Sequence, residues 1–380
     1  MKKLQLTALA TLTLASPFVG GNAFALDDII KPYESVRSSG MGGVTLTTGL
    51  YDENYFGNPA RVTANPTWRV TILDPMVETN SHVSNSVRAV NGGSNIYNAL
   101  GGDAGDDNHF RLQTTMPSVY IPTGHGRWAF ALGFITSSQV DVDLRRSFNI
   151  EPTGIVDVGP ALTVGRTFME ENDLSVGITA RATYRLSTNT AFSFVDLING
   201  QSISPRATGG QGGMADFDLG TTYTFRHFHP GGVDLSVAGA VENVMGGNFN
   251  NLKLRFLKDS HDNPTPANRP LPEPRRGGFG FSAQKASMGF LHNTSLALEF
   301  QDIGNNTNGS VYRTVHIGGE THFFSIFVLR GGVNQGYLTG GFGLDLRILT
   351  IDVSTYGEEL SLNPGQLEDR RYALRVALQL

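Results

Sequence analysis

The chain has 380 residues, a formal net charge of −5, 46 glycines and no cysteine. The lack of cysteine excludes disulfides and thiolate metal sites, and the mild negative charge argues against nucleic acid as a partner, because nucleic-acid binding needs a basic surface. So many glycines are unusual in a helical protein and fit strands, bulges and turns.

The first 25 residues have the pattern of a secretory signal peptide. Lys2 and Lys3 precede an apolar run that ends in Ala23-Phe24-Ala25. A basic start, an apolar run and an Ala-x-Ala site are typical of such peptides, whereas the alternative is a core or membrane helix. We expect cleavage after Ala25, which places the mature protein beyond an inner membrane. No later stretch approaches the ~20 apolar residues of a spanning helix.

Residues 26–65 contain no strand pattern, and alternating apolar and polar segments then recur through residues 66–380. In the last segment, Tyr372, Leu374 and Val376 share one face, and Arg371 and Arg375 share the other. Successive side chains of a strand point to opposite faces, so each segment has an apolar and a polar face. About fourteen such strands are predicted, an even number within the range of bacterial barrels.

The lengths of the connections decide between a β-sandwich and a barrel. Long connections are predicted at 78–109, 187–214 and 245–276, with 357–370 and a shorter one at 143–154, and tight turns fall between them. Long loops on one side and short turns on the other are typical of outer-membrane barrels. The sequence therefore predicts an all-β protein, a transmembrane antiparallel β-barrel over residues 66–380, in a Gram-negative outer membrane with lipid as its surroundings.

The polar faces carry charges of both signs that are expected to point into the lumen. Mixed signs favour cross-strand pairs that brace the wall over an ion-selective channel, which needs rings of one sign. The predicted lumen-facing residues are Arg181, Arg185, Asp216, Asp218, Arg226, Glu242, Glu299, Glu320, Asp345, Arg347, Arg371 and Arg375.

Fourteen strands enclose more space than side chains fill in an eight-stranded barrel, so something must fill or gate the lumen. Residues 26–65 are the candidate, and an exposed linker is the alternative. This segment carries SVRSSGMGGV at 35–44 and DENYFGNPA at 52–60, and GGVNQGY at 331–337 and YGEEL at 356–360 lie near the other end.

The two N-terminal motifs resemble the start of the FadL-type outer-membrane barrels, and the two C-terminal motifs are similar to the last hairpins of PorV-like members. The resemblance implies a fourteen-stranded barrel whose N-terminal segment folds into the lumen as a hatch. It places these residues in that hatch: Gly40, Gly42, Gly43, Asn58, Pro59 and Ala60.

The resemblance leaves two functions open. The first is passage of small hydrophobic molecules across the outer membrane, and the second is a PorV-like scaffold that binds secreted or surface proteins. The alternating C-terminal strand suits recognition by a barrel-assembly machinery, although it ends in Leu380. No obvious apolar run marks a substrate pocket in the loops, which puts fatty-acid specificity in doubt.

No enzymatic activity and no cofactor are expected. Asp259, Ser260 and His261 are triad residue types, but neighbours on one loop seldom converge as a triad does. His227 and His229 share a face on an extended chain, yet no third metal ligand is apparent, and a turn is the simpler interpretation.

Overall fold

The computed structural model describes residues 31, 33–81, 107–122, 127–144, 149–169, 173–188, 192–193, 210–229, 232–250, 252, 269–304, 311–360, 365 and 367–380. The predicted signal peptide lies outside these residues. Among the described residues, no helix has the length and apolar character needed to cross a membrane.

The described residues form fourteen main antiparallel strands, the first two of which are interrupted. β1 comprises Arg69–Leu73 and Met76–Asn80, and β2 comprises Asp107–Thr114 and Ser118–Ile121. The others are β3 Trp128–Leu144, β4 Asn149–Phe168, β5 Asp173–Thr188, β6 Gly210–His229, β7 Val233–Glu242, β8 Arg276–Met288, β9 Leu291–Ile303, β10 Val315–Phe323, β11 Phe327–Asn334, β12 Tyr337–Asp345, β13 Leu349–Glu359 and β14 Glu368–Gln379. A two-residue strand, Phe192–Ser193, pairs with β4.

Each strand pairs with its neighbours in the sequence, and β14 pairs with β1. Thr71 lies opposite Gln379 and Asn80 lies opposite Arg371, so the sheet closes on itself. Closure leaves no strand edge unpaired, which is the requirement for a sheet in hydrocarbon. The predicted antiparallel 14-strand barrel is confirmed.

The barrel has its apolar face outside. On β5, Val176 and Ile178 are exposed while Thr179 and Arg181 are buried, and the same alternation holds along β14. A soluble protein would bury the first pair, because burial of apolar surface is the main stabilising contribution in water. The exposed belt is stable only next to hydrocarbon, so the structure has the faces of an outer-membrane barrel.

Some strands extend further along the chain than the sequence predicted, as in β3 and β4. The predicted connection at 143–154 shortens to 145–148, because β3 and β4 keep pairing up to Leu144 opposite Ile150. Pro152 and Gly154 are residue types that usually interrupt a strand, so the pattern alone placed the start of β4 later, at Ile155, although the pairing continues through them. The strand ends that are joined by the short connections lie together at one end of the barrel; by number these connections are 122–127, 169–172, 230–232, 289–290, 324–326 and 346–348.

The described part of the N-terminal segment forms one short helix and two 3₁₀ turns. Helix α1 spans Val36–Gly40, and the turns span Tyr51–Tyr55 and Pro59–Ala64. Ser35 caps α1 by accepting a hydrogen bond from the Ser38 amide, and Asn58 caps the second turn in the same way, with Pro59 at its first position. Ser and Asn are favoured at such caps, and proline is favoured directly after them. A further 3₁₀ turn, Val311–Thr314, precedes β10.

Candidate functional site

The N-terminal segment, meaning residues 33–65, packs against the polar inner face of the wall. The Thr179 hydroxyl on β5 donates to the Asn54 carbonyl at 3.1 Å, and the Asn58 amide group on the segment donates to Thr222 on β6 at 2.9 Å. On the opposite side, the Ser39 and Ser354 hydroxyls lie 2.7 Å apart. The segment therefore contacts the wall on opposite sides of the lumen.

Glycines on the inner face let the segment approach the wall backbone. A Cβ atom on Gly318 of β10 would lie 1.8 Å from the Met41 carbonyl oxygen, and one on Gly177 of β5 would lie 2.4 Å from the Pro59 carbonyl carbon. No side chain fits at such distances. Further wall glycines close to the segment are Gly133, Gly165, Gly220, Gly278, Gly332 and Gly341.

The residues that the resemblance assigned to a hatch all lie in this packed segment. Gly40, Gly42, Asn58, Pro59 and Ala60 are buried, and Gly43 is half-buried. Gly42 and Gly43 have φ of +71° and +83°, and a Cβ on Gly42 would lie 2.2 Å from the Ile317 carbonyl oxygen. Glycine is therefore required there for both backbone conformation and space. Whether the segment opens and closes a passage stays a prediction.

Glu299 of β9 holds the middle of the segment. Its carboxylate accepts hydrogen bonds from the backbone amides of Thr45, Leu46 and Thr47 at 2.8, 2.9 and 2.8 Å. The Thr47 hydroxyl and the Gln301 amide group donate to it at 2.7 Å. No Lys, Arg or His in the described part of the chain places a nitrogen within 4.0 Å of this carboxylate. Backbone amides therefore balance its charge.

Arg37 ties the segment to the wall through a chain of ion pairs. Its guanidinium contacts Glu53 within the segment at 2.7 Å and Glu320 on β10 at 3.0 Å. Arg330 on β11 then bridges Glu320 and Asp352 at 2.7 and 2.6 Å. Burial raises the pKa of the Glu53 carboxyl, and the neighbouring Arg37 opposes this shift. Three wall strands and the segment thus share one charge network.

Arg181 makes a similar connection on the other side of the lumen. It donates to the Tyr55 carbonyl at 2.8 Å and contacts Asp218 at 2.8 Å and the Asn243 side chain at 2.8 Å. Its guanidinium also lies 5.0 Å from the ring centre of Phe56, within the range of a cation–π contact.

Among the other residues predicted to line the lumen, Arg185, Asp216 and Arg371 are buried, and Glu242, Asp345 and Arg375 are half-buried. Arg185 binds Asp157 and Glu273, and Arg375 contacts Asp52 of the segment at 3.4 Å. Arg226 is exposed near the short turns, where it contacts Asp173 and Asp234.

Arg347 differs from its predicted position. The structure places it in the exposed turn between β12 and β13, because β12 ends at Asp345. The apolar–polar alternation continues into this turn, so the pattern alone did not mark the end of the strand.

The sequence interpretation missed several buried charges of the wall. His109 on β2 lies between Glu78 of β1 and Asp141 of β3, and Arg111 contacts Glu78 at 3.3 Å. Arg111 and Asp141 alternate with apolar residues within the predicted strands and could have been identified, whereas Glu78 and His109 were placed in the predicted connection at 78–109, which the strands Met76–Asn80 and Asp107–Thr114 shorten. The charges of the N-terminal segment itself, Arg37, Glu53 and Arg61, lack a strand pattern and carry no such signal.

An apolar cluster fills one sector of the lumen. Tyr51 and Tyr55 of the segment pack with Tyr120 of β2, at ring-centre distances of 5.4 and 5.9 Å. Opposite them, the inner faces of β3 and β4 carry small or aliphatic residues, namely Ala129, Ala131, Ile135 and Ala161. Leu50 and Phe56 pack against this cluster. The lumen therefore combines a charged sector with an apolar, aromatic one.

A cavity of about 660 Å³ lies between the segment and the end of the barrel that carries the short turns. Its lining includes seven Lys or Arg and seven Asp or Glu residues. Arg61, in the second 3₁₀ turn of the segment, faces this cavity and is 7% exposed. Burial, and then the repulsion of Arg37, lower the pKa of Arg61 to about 10.

The residues weighed as catalytic or metal-binding gain no support. Asp259, Ser260 and His261 lie outside the described residues. His227 is exposed near a short turn, and the side chain of His229 lies outside the described part. Within the described residues, no group of three or more His, Asp or Glu side chains has the arrangement of a metal site.

Comparisons with known proteins find similarity in structure only. No family model matches the sequence, and no curated protein matches it. Among solved structures, the toluene transporter TbuX from Ralstonia pickettii is similar, with a TM-score of 0.50 and 13% identity over 92% of this chain and 98% of that chain. The CymD monoaromatic hydrocarbon channel matches with a TM-score of 0.48 and 10% identity over 90% and 96%.

A Pseudomonas aeruginosa FadL homologue matches with a TM-score of 0.41 and 10% identity, over 92% of this chain and 98% of that chain. The predicted similarity to PorV-like members gains no support from these comparisons and stays a prediction. The closed fourteen-stranded barrel, its exposed apolar belt and the likeness to TbuX together identify the protein as an outer-membrane β-barrel with the FadL-type fold.

Proposed function

We propose that this barrel passes small hydrophobic molecules across the outer membrane, and that the N-terminal segment is the hatch that closes its lumen. The observation that carries the proposal is the apolar cluster inside an otherwise charged lumen. Tyr51, Tyr55 and Tyr120 face the small residues of β3 and β4 there. Aromatic and aliphatic linings are typical of sites for apolar ligands.

The cluster is shared between the segment and the wall, which is the arrangement a gated passage needs. Tyr55 is fully buried, and a Cβ on Gly133 of β3 would lie 2.7 Å from its hydroxyl oxygen. A molecule that enters this sector must displace the tyrosines of the segment, while the wall stays closed by its strand pairing. The fold similarity to a toluene transporter is consistent with this role.

A reversible cross-link tests the proposal. The chain has no cysteine, and the Ser39 and Ser354 hydroxyls are 2.7 Å apart, so the double variant Ser39→Cys/Ser354→Cys offers a disulfide between segment and wall. Uptake of radiolabelled toluene is measured in Gram-negative cells that express the barrel. We expect uptake above that of empty-vector cells for the original protein and for the reduced variant, and loss of it in the oxidised variant.

The matched control is Ser39→Cys alone, which has no partner thiol and is expected to stay active under oxidation. Uptake no greater than that of empty-vector cells would instead favour the scaffold alternative, which needs no passage. Unchanged uptake in the fully oxidised double variant would contradict the hatch, because the segment would then not need to move.

A further inference from the structure

Arg61 is a buried cation without a carboxylate partner. It is 7% exposed, and its Nε donates to the Gly49 carbonyl at 3.4 Å. Across the described residues, no Asp or Glu oxygen lies within 4.0 Å of its guanidinium. A buried charge is normally paired, because desolvation without a partner is costly. Glu53 and Glu299 attract the Arg61 guanidinium only from longer range.

The cavity that Arg61 faces has a surplus of unpaired positive charge. Six of its seven carboxylates contact an arginine, and the exception among the described residues is Asp345. Of its seven cations, four contact a carboxylate, whereas Arg61, Arg69 and Lys285 make no ion pair with any described residue. Arg69 lies over the Tyr51 ring, 3.6 Å from its centre. The seven cations and seven carboxylates balance, so the partner that this cavity offers an anion is the unpaired, buried Arg61 guanidinium and not a net positive charge.

We infer that the cavity is a binding site for a small organic carboxylate, with the Arg61 guanidinium as the group that binds it. A guanidinium presents parallel N–H donors that match the two oxygens of a carboxylate. The volume of about 660 Å³ fits a small molecule, and the Tyr51 and Leu50 side chains on its lining provide an apolar contact for the body of such a ligand. The site opens toward the short turns, so its ligand enters from the periplasmic side.

This inference goes beyond the proposed passage, because the site lies on the other side of the segment from the long loops and needs no movement of the hatch. Carboxylate binding and toluene uptake are separate measurements. Loss of one with retention of the other identifies which of the two proposals fails.

Calorimetric titration of the purified barrel in non-ionic detergent tests the site. The probes are benzoate, its neutral analogue benzamide, and inorganic phosphate. We expect benzoate to bind the original protein and benzamide to bind at least about tenfold more weakly, because the charge-assisted bond to the guanidinium is then missing. Equal binding of the two, no binding of benzoate, or tighter binding of phosphate than of benzoate would overturn the inference.

Two substitutions assign the site to Arg61. Arg61→Gln is expected to weaken benzoate binding about tenfold or more. Arg61→Lys is expected to weaken it by less, because lysine keeps the positive charge but lacks the two parallel N–H donors of the guanidinium. The matched control is Arg166→Gln, because Arg166 is exposed on the outer face of β4 near Trp128. Unchanged binding in Arg61→Gln, or equal loss in the control, would contradict the assignment.

A thermal measurement guards against misfolding of the variant. Benzoate is expected to raise the melting temperature of the original protein, since it binds the folded state, and to leave that of Arg61→Gln unchanged. Arg61→Gln is expected to melt no lower than the original protein without ligand. An equal benzoate response in both proteins would refute a site at Arg61.

Discussion

Glu299 is the residue through which the docking of the N-terminal segment is tested most sharply. Its two carboxylate oxygens divide four donors of the segment between them. One oxygen accepts from the Thr45 and Leu46 amides, and the other accepts from the Thr47 amide and hydroxyl. In Glu299→Gln, one oxygen becomes an NH₂ group. Turned toward Thr45 and Leu46, it leaves two backbone amides without an acceptor; turned toward Thr47, it leaves one, because the Thr47 hydroxyl can then accept from the NH₂ group.

The magnitude follows from that count. A buried donor left without an acceptor costs about 1–3 kcal/mol, so one or two such donors weaken docking by about 1–6 kcal/mol. At about 4 kcal/mol, the population of the undocked segment rises roughly a thousandfold. The strand pairing of the barrel is untouched, so the wall is expected to stay folded.

Hydrogen–deuterium exchange of the purified barrel in detergent measures this effect at the amides of residues 45–47. We expect exchange at these amides to accelerate by two orders of magnitude or more, because the exchange rate follows the population of the undocked segment. The matched control is Glu242→Gln, because Glu242 contacts Arg276 of β8 at 2.7 Å. Unchanged exchange at residues 45–47 in Glu299→Gln, or equal acceleration in the control, would show that Glu299 does not hold the segment against the wall.

Three further predictions concern the segment and the wall. Gly318→Ala places a Cβ 1.8 Å from the Met41 carbonyl oxygen and is expected to expose the N-terminal segment to added protease. Gly340→Ala is the control, because a Cβ there meets nothing within 4 Å. Equal proteolysis of the two variants would contradict the close packing of the segment. Ile178→Arg on the outer face is expected to destabilise the barrel by about 2–4 kcal/mol in denaturant titrations, and Phe228→Arg near a short turn by about 0–1 kcal/mol; equal costs would contradict the assigned faces. Arg61→Met is expected to raise the melting temperature at pH 7, because the pKa of Arg61 in the folded protein, about 10, lies below the usual 12.5 and the charged form is therefore disfavoured in the folded state. This gain in melting temperature is expected to shrink as the pH rises above 10. A lower melting temperature in the variant at pH 7 would contradict the prediction.

The sequence predicted the barrel because lipid and lumen impose opposite demands on alternate residues. On β5 and β14 the two faces differ strongly in polarity, and the structure has the predicted faces. On β3 the outer residues Trp128, Phe130 and Leu132 alternate with Ala129 and Ala131, so both faces are apolar. Polarity therefore could not distinguish the inner face of β3 from the outer one, and the apolar sector of the lumen was not predicted there.

The contacts of the N-terminal segment could not be predicted from the sequence. Its partners are hundreds of residues away, as in Arg37 with Glu320 and Ser39 with Ser354. The large number of glycines is evident from the sequence. That the wall glycines make room for the segment is evident only from the structure, in which the Met41 backbone lies against Gly318. Likewise, the missing partner of Arg61 is a property of the packed lumen and not of any local pattern.

The apolar face of the wall is expected to contact lipid. Spin labels at Val176→Cys, Ile178→Cys and Ala180→Cys, introduced singly into the barrel in lipid bilayers, test it by power-saturation electron paramagnetic resonance. These side chains alternate with buried ones on β5. We expect frequent collisions with oxygen, which concentrates in hydrocarbon, and few with a water-soluble nickel chelate. Collisions dominated by the nickel chelate, or collisions with neither reagent as in a dry protein core, would contradict this expectation.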